Sequence, residues 1–94
     1  MKIRLSLFID GLDFVLQNPC VNHFGGNEYE VCCDPSLLKL AGDEFPSTEG
    51  LLKFLKISEN HGVIFVILNS KVVFSNAAIN DGDHIELLSA IDGG

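Results

Sequence analysis

The residues best placed to do chemistry are the last two, Gly93 and Gly94, which follow Ile91 and Asp92. Without Cβ atoms, a glycine pair can thread a channel too narrow for side chains and deliver a terminal carboxylate into the active site of another protein. A carboxylate is a poor electrophile. Joined to the adenylyl group of ATP as an acyl adenylate, its carbonyl becomes open to attack by sulfur or by an amine. On this reading Gly94 carries the reacting group and Gly93 gives it a slender approach. Ile91 and Asp92 meet the mouth of the channel, where the Asp92 charge selects a basic lining.

The other reactive side chains form no comparable pattern. Cys20, Cys32 and Cys33 are odd in number, and neighbours 32 and 33 point to opposite faces of a strand, so free, mostly buried thiols are expected rather than a disulfide framework. His23, His61 and His84 lack metal-ligand spacing with one another or with the cysteines. Cys20 lies three residues from His23 in a proline-containing loop, which is no basis for a nucleophile and its base. Gly25, Gly26 and Asn27 lack the lysine and following helix of a phosphate loop, and Asp81 and Asp83 fit a turn. The chain is expected to bind no metal or cofactor of its own.

Ninety-four residues make one small domain. With 47% hydrophobic and 20% charged residues it holds enough apolar surface for a modest core and too much for disorder. Six Lys+Arg against 13 Asp+Glu give a formal charge of −7, which argues against nucleic acid as a ligand and for a basic protein partner. The opening apolar stretch is broken by Arg4 and Asp10 and lacks a small-residue cleavage site, so a cytoplasmic protein is expected. No run approaches the roughly 18 apolar residues of a membrane span.

The elements that must hold the terminus follow from periodicity. Residues 2–9 alternate, with Ile3, Leu5, Leu7 and Ile9 on one face and Lys2, Arg4, Ser6 and Phe8 on the other. Residues 10–27 lose the pattern; a short apolar piece at 12–16 reads as strand continuation or a turn of helix. Residues 28–33 alternate again and stop at Asp34-Pro35. A Ser or Thr cap, Glu49 in the first turn and apolar residues at 51, 54 and 55 predict a helix over 47–58, slightly weakened by Gly50. Residues 36–40 could add a short helical turn. Residues 63–68 and 71–74 flank Asn69-Ser70 as a tight hairpin. Residues 80–83 form a turn, and a strand over 84–88 sends Ile85 and Leu87 one way and His84, Glu86 and Leu88 the other.

The apolar run at 63–68, the Asn80-Asp81-Gly82-Asp83 turn, the strand to Leu88 and the Ile91-Asp92-Gly93-Gly94 end together resemble the β-grasp sulfur-carrier family. That family includes the small subunit of molybdopterin synthase, the thiamine-pathway sulfur carrier and the ubiquitin-related modifiers. The resemblance implies an α+β, ubiquitin-like β-grasp domain over 1–90: a mixed four- to five-stranded sheet packed on one main helix, its first and last strands parallel and central. It implies a flexible di-glycine tail at 91–94. It further implies that a ubiquitin-activating-type adenylyltransferase, using ATP and magnesium, adenylates Gly94, and that a cysteine desulfurase or rhodanese-like donor supplies sulfur. The thiocarboxylate then enters the large subunit of an acceptor synthase, and the chain itself is not an enzyme. The long 10–27 segment favours a molybdopterin-type or ubiquitin-related carrier. Conjugation of Gly94 to lysines, and sulfur delivery to tRNA, thiamine or amino-acid pathways, are the alternatives; a ubiquitin-like interaction domain with incidental glycines is a third reading.

One sheet face has to cover the helix through Ile3, Leu5, Leu7, Ile85 and Leu87. The opposite face carries Phe8 and Leu88 by parity, joined by either the 64/66/68 set or the 63/65/67 set of residues. A solvated face normally alternates to polar residues, so this one is expected to dock a partner unless residues 10–27 fold over it.

Overall fold

The computed structural model describes residues 1–57 and 64–89. The alternating opening residues form β1 (Lys2–Leu7), and the final alternating run forms β6 (His84–Ser89). They pair in parallel, Leu5 beside Ile85 and Leu7 beside Leu87, and occupy the middle of a six-stranded sheet of order β2-β3-β1-β6-β4-β5. Among these, β2 (Val21–Gly25) and β3 (Glu28–Cys32) are an antiparallel pair at one edge. At the other edge β4 (Ile64–Leu68) and β5 (Lys71–Val73) form the expected hairpin. Asn69 and Ser70 both take positive φ, 49° and 72°, the geometry that matches a tight turn to strand twist.

One helix, α1 (Thr48–Phe54), packs on one face of this sheet. Its cap is Ser47, whose Oγ accepts the Gly50 N–H at 3.1 Å. The expected span of 47–58 is too long. The Lys56 and Ile57 N–H groups turn back to Lys53 and Leu52 carbonyls, and Lys56 takes φ +63°, so the chain leaves the helix there; residue 58 lies outside the described residues. A 3-10 turn over Pro35–Leu38, capped by Asp34, lies against α1. Ile3, Leu5, Val31, Leu38, Leu51, Ile57, Ile79, Ile85 and Leu87 are wholly or almost wholly buried in the core between sheet and helix.

The sheet has six strands where four or five were expected. The difference arises in residues 10–27, which supply a second 3-10 turn, Asp13–Gln17, and the edge strand β2. Leu12, Val15 and Val21 are buried in the same core as the helix, which fixes this segment to the helix side of the sheet. It therefore leaves the other face uncovered.

Candidate functional site

The turn and strand that bring the chain to residue 89 are tied to their neighbours. At the start of β6, Asp83 accepts the Asn80 N–H at 2.7 Å on one carboxylate oxygen and the Asn69 side-chain amide at 3.0 Å on the other. Gly82 takes φ +87°, which a side chain would strain, and its N–H reaches the Lys2 carbonyl at 2.7 Å; the Lys2 N–H reaches the Asp81 carboxylate at 2.6 Å. The turn at 80–83 thus ties β6 to β1 and to the β4–β5 hairpin at once. The Phe8 N–H continues the parallel ladder to the Leu87 carbonyl at 3.0 Å, and Ser89 pairs with Ile64. Ile91, Asp92, Gly93 and Gly94 lie outside the described residues.

At this end of β6 the outer face of the sheet is apolar. Leu88 is directly opposite Phe65 on β4, and Phe8 stands one step beyond the Leu7–Leu87 pair, so the three form a row across β4, β6 and β1. Phe8 is 46% exposed and Phe65 44%. Ile67 and Val72, cross-strand partners, widen the patch toward β5. Of the two sets left open by the sequence, the outer one is 65/67: Val66 is buried and Ile64 and Leu68 pack on the core, while Val63 lies outside the described residues. Phe65 was missed as a named site residue because parity alone fixes two sets, not which of them meets the helix.

The other half of that face is polar and organised around Ser6, which is 1% exposed. Its Oγ donates to Glu28 at 2.9 Å and lies 2.8 Å from His84 Nε2. A hydroxyl has one proton; with it committed to the carboxylate, His84 Nε2 is the donor to Ser6. Arg4 sits 3.6 Å from the other Glu28 oxygen. Here the serine proton points to a carboxylate and not to the imidazole, so the trio is a cross-strand clamp and not an activated nucleophile. Parity puts Ser6 and His84 on one face, but only β1–β6 register brings them into contact.

The thiols correct one expectation. Cys32 is exposed and Cys20 and Cys33 half-buried, so the cysteines are free but not mostly buried. Burial pushes the Cys33 thiol up from its ordinary range, helped by the neighbouring Cys20, which leaves it protonated and weakly nucleophilic at neutral pH. Asp34 is held below the usual carboxylate range by its hydrogen bond from the Ser36 N–H, consistent with its capping role. Among the described residues no three His, Cys, Asp or Glu side chains converge as metal ligands, and no helix is long and apolar enough to cross a membrane.

A mixed sheet with parallel central strands, one main helix and a tethered final strand is the β-grasp arrangement. The ThiS family model matches residues 36–94, well over half of the chain. The chain belongs to the ThiS family. It is thereby a small sulfur-carrier protein, a class that works with activating enzymes and synthases without being an enzyme itself. The matched part of this ThiS-family chain begins after β3; the first three strands precede it. Comparison with curated proteins and with solved structures returned no match.

Proposed function

We propose that this chain carries sulfur as a thiocarboxylate on Gly94 and delivers it in cofactor biosynthesis, as the small subunit of a molybdopterin-type synthase. The observation that carries the reading is a family match that runs through Gly93 and Gly94. A carboxylate oxygen of Gly94 attacks the α-phosphorus of ATP, bound with magnesium on the activating enzyme, and pyrophosphate leaves. The outer sulfur of a persulfide on a desulfurase or rhodanese-like donor then attacks the acyl carbonyl and displaces AMP, and a thiol cleaves the resulting acyl disulfide, leaving the thiocarboxylate on Gly94 and a disulfide on the donor. The Phe8–Leu88–Phe65 row docks the activating enzyme and the synthase large subunit. Residues 90–94 span at most roughly 18 Å, which keeps Gly94 within a short reach of that row. Ile91 and Asp92 meet the channel mouth. The long segment that builds β2 supports the molybdopterin-type acceptor over a shorter thiamine-type carrier, and all of these partners place the chain in the cytoplasm.

The test is intact-mass spectrometry of the chain after incubation with its native activating enzyme, ATP, magnesium and a sulfur donor. Exchange of one oxygen for sulfur adds about 16 Da. Large adducts on lysines of other proteins would instead make it a modifier. Deleting Gly94 should abolish the shift, and a chain equally active without it would leave only an interaction domain. Capture of the acceptor then decides the pathway: a pterin synthase subunit supports the proposal, and a thiazole-forming enzyme overturns its molybdopterin part.

A further inference from the structure

The cysteines, separated in sequence, meet where β2 begins and β3 ends. The β2–β3 register pairs Val21 with Val31 and Asn22 with Glu30, and one step further along it sets Cys20 opposite Cys32. A ladder bond marks that step: the Cys32 N–H reaches the Cys20 carbonyl at 2.8 Å. Facing residues of an antiparallel pair bonded in this way have Cα atoms roughly 5.5 Å apart and present their side chains to the same face. A disulfide requires about 4.4–6.8 Å between its Cα atoms. Cys20 is held in place by its turn, its N–H on Asn18 Oδ1 at 2.9 Å and the Val21 N–H on the Asn18 carbonyl at 3.0 Å. On the other side Cys32 pairs with Lys2 of β1. Because β2 is an edge strand, no further described strand resists the small approach that an S–S bond demands.

The three thiols differ in access. Cys32 is exposed and Cys20 half-buried, so a dissolved oxidant meets Cys32 first. Cys33, the next residue, turns to the other face and packs against the core. Its thiol is pushed up by burial first and by the Cys20 thiol next, and the second cause puts Cys20 within electrostatic reach of this end of β3. The same burial makes Cys33 a poor competitor for the oxidant.

We propose that Cys20 and Cys32 are a reversible dithiol that a small-molecule disulfide oxidises to a disulfide, locking the start of β2 to the end of β3. The Cys32 thiolate attacks one sulfur of the oxidant and expels the other as a thiolate, which leaves a mixed disulfide on Cys32. The Cys20 thiolate then attacks the Cys32 sulfur and expels the second thiolate. Two protein thiols are oxidised, the oxidant is reduced to two thiols that take up the two protons released, and a dithiol reductant reverses the change. The site is independent of the terminal chemistry: Cys32 pairs with the first residue of β1, at the end of the sheet opposite to Phe8 and Ser89.

The full chain is treated with glutathione disulfide and then with dithiothreitol. Its intact mass should fall by about 2 Da, the loss of two hydrogens, and recover on reduction. Digestion after blocking the free thiols should link residue 20 to residue 32, and the β2 amides should exchange more slowly in the closed form. Cys33→Ser should close as the unaltered chain does. Cys20→Ser should stop at a glutathione adduct on Cys32, and Cys32→Ser should not close. With Cys32 exposed and Cys20 half-buried, either serine should leave the urea midpoint of the reduced chain nearly unchanged, so lost closure is not lost folding. The bond map of the unaltered chain decides independently of the variants. A bond to Cys33, closure that survives in Cys32→Ser, glutathione adducts or intermolecular dimers alone, or β2 exchange unaltered by closure would each overturn the proposal.

Discussion

At the scale of single residues, Phe8 and Cys33 make separable demands. Phe8 is almost half exposed and lies outside the core, so Phe8→Asp should change stability by less than about 1 kcal/mol. It should nevertheless weaken association with the activating enzyme at least about tenfold, as loss of an apolar anchor does. Titration calorimetry beside a urea melt separates the two; a variant that unfolds would remove Phe8 from the docking row. Cys33 makes a prediction about pH. Its native thiol is held above the ordinary range, so the unfolded chain releases that proton first as pH rises. Its contribution to stability is complete below the ordinary thiol range and is lost as pH climbs through the raised native value. Urea midpoints should fall between pH 7 and pH 10, and less so in Cys33→Ser. Site-resolved alkylation at pH 8 should reach exposed Cys32 before Cys33. Parity readily places Cys32 and Cys33 on opposite faces, whereas their exposure was not readable: Cys33 is partly buried by the fold and also feels the charge of the Cys20 thiol, a neighbour distant in sequence.

At the scale of elements, Gly50 separates what sequence can say from what packing decides. By propensity it only weakens α1. In the fold, a Cβ there would collide with the Leu38 carbonyl, because the 3-10 turn Pro35–Leu38 presses its backbone on the helix at that point. Gly50→Ala, which should help an isolated helix, is therefore expected to lower stability by about 1–3 kcal/mol in chemical denaturation. An unchanged midpoint would show that the two elements can move apart. The β4–β5 hairpin, the helix cap and the inward faces of β1 and β6 were legible because each rests on local periodicity or a local hydrogen bond. The edge strand β2 was not. Val21 is its one buried residue, and its other positions carry Asn22, His23, Phe24 and Gly25, so no alternation marks it. It exists as a strand because β3 offers a free edge and because His23 stacks on Tyr29, ring centroids 4.5 Å apart.

At the scale of the whole molecule, charge and topology dominate. A net charge of −7 on a small domain favours encounter with basic surfaces and should speed association with an activating enzyme. Stopped-flow association rates should fall as ionic strength is raised from about 0.05 to 0.5 M, while the dissociation rate changes little; a salt-independent rate would mean that the apolar row alone guides docking. Topology has another consequence. The sheet consists of two strand groups, β2-β3-β1 and β4-β5, whose only described ladder connection is β6 between them. The segment that leads to the glycine pair is therefore the keystone of the sheet: a translation product cut short before residue 84 has nothing to join its halves. Assembly of the sheet thus waits for the last described strand to leave the ribosome, so a shorter product stays open to proteolysis.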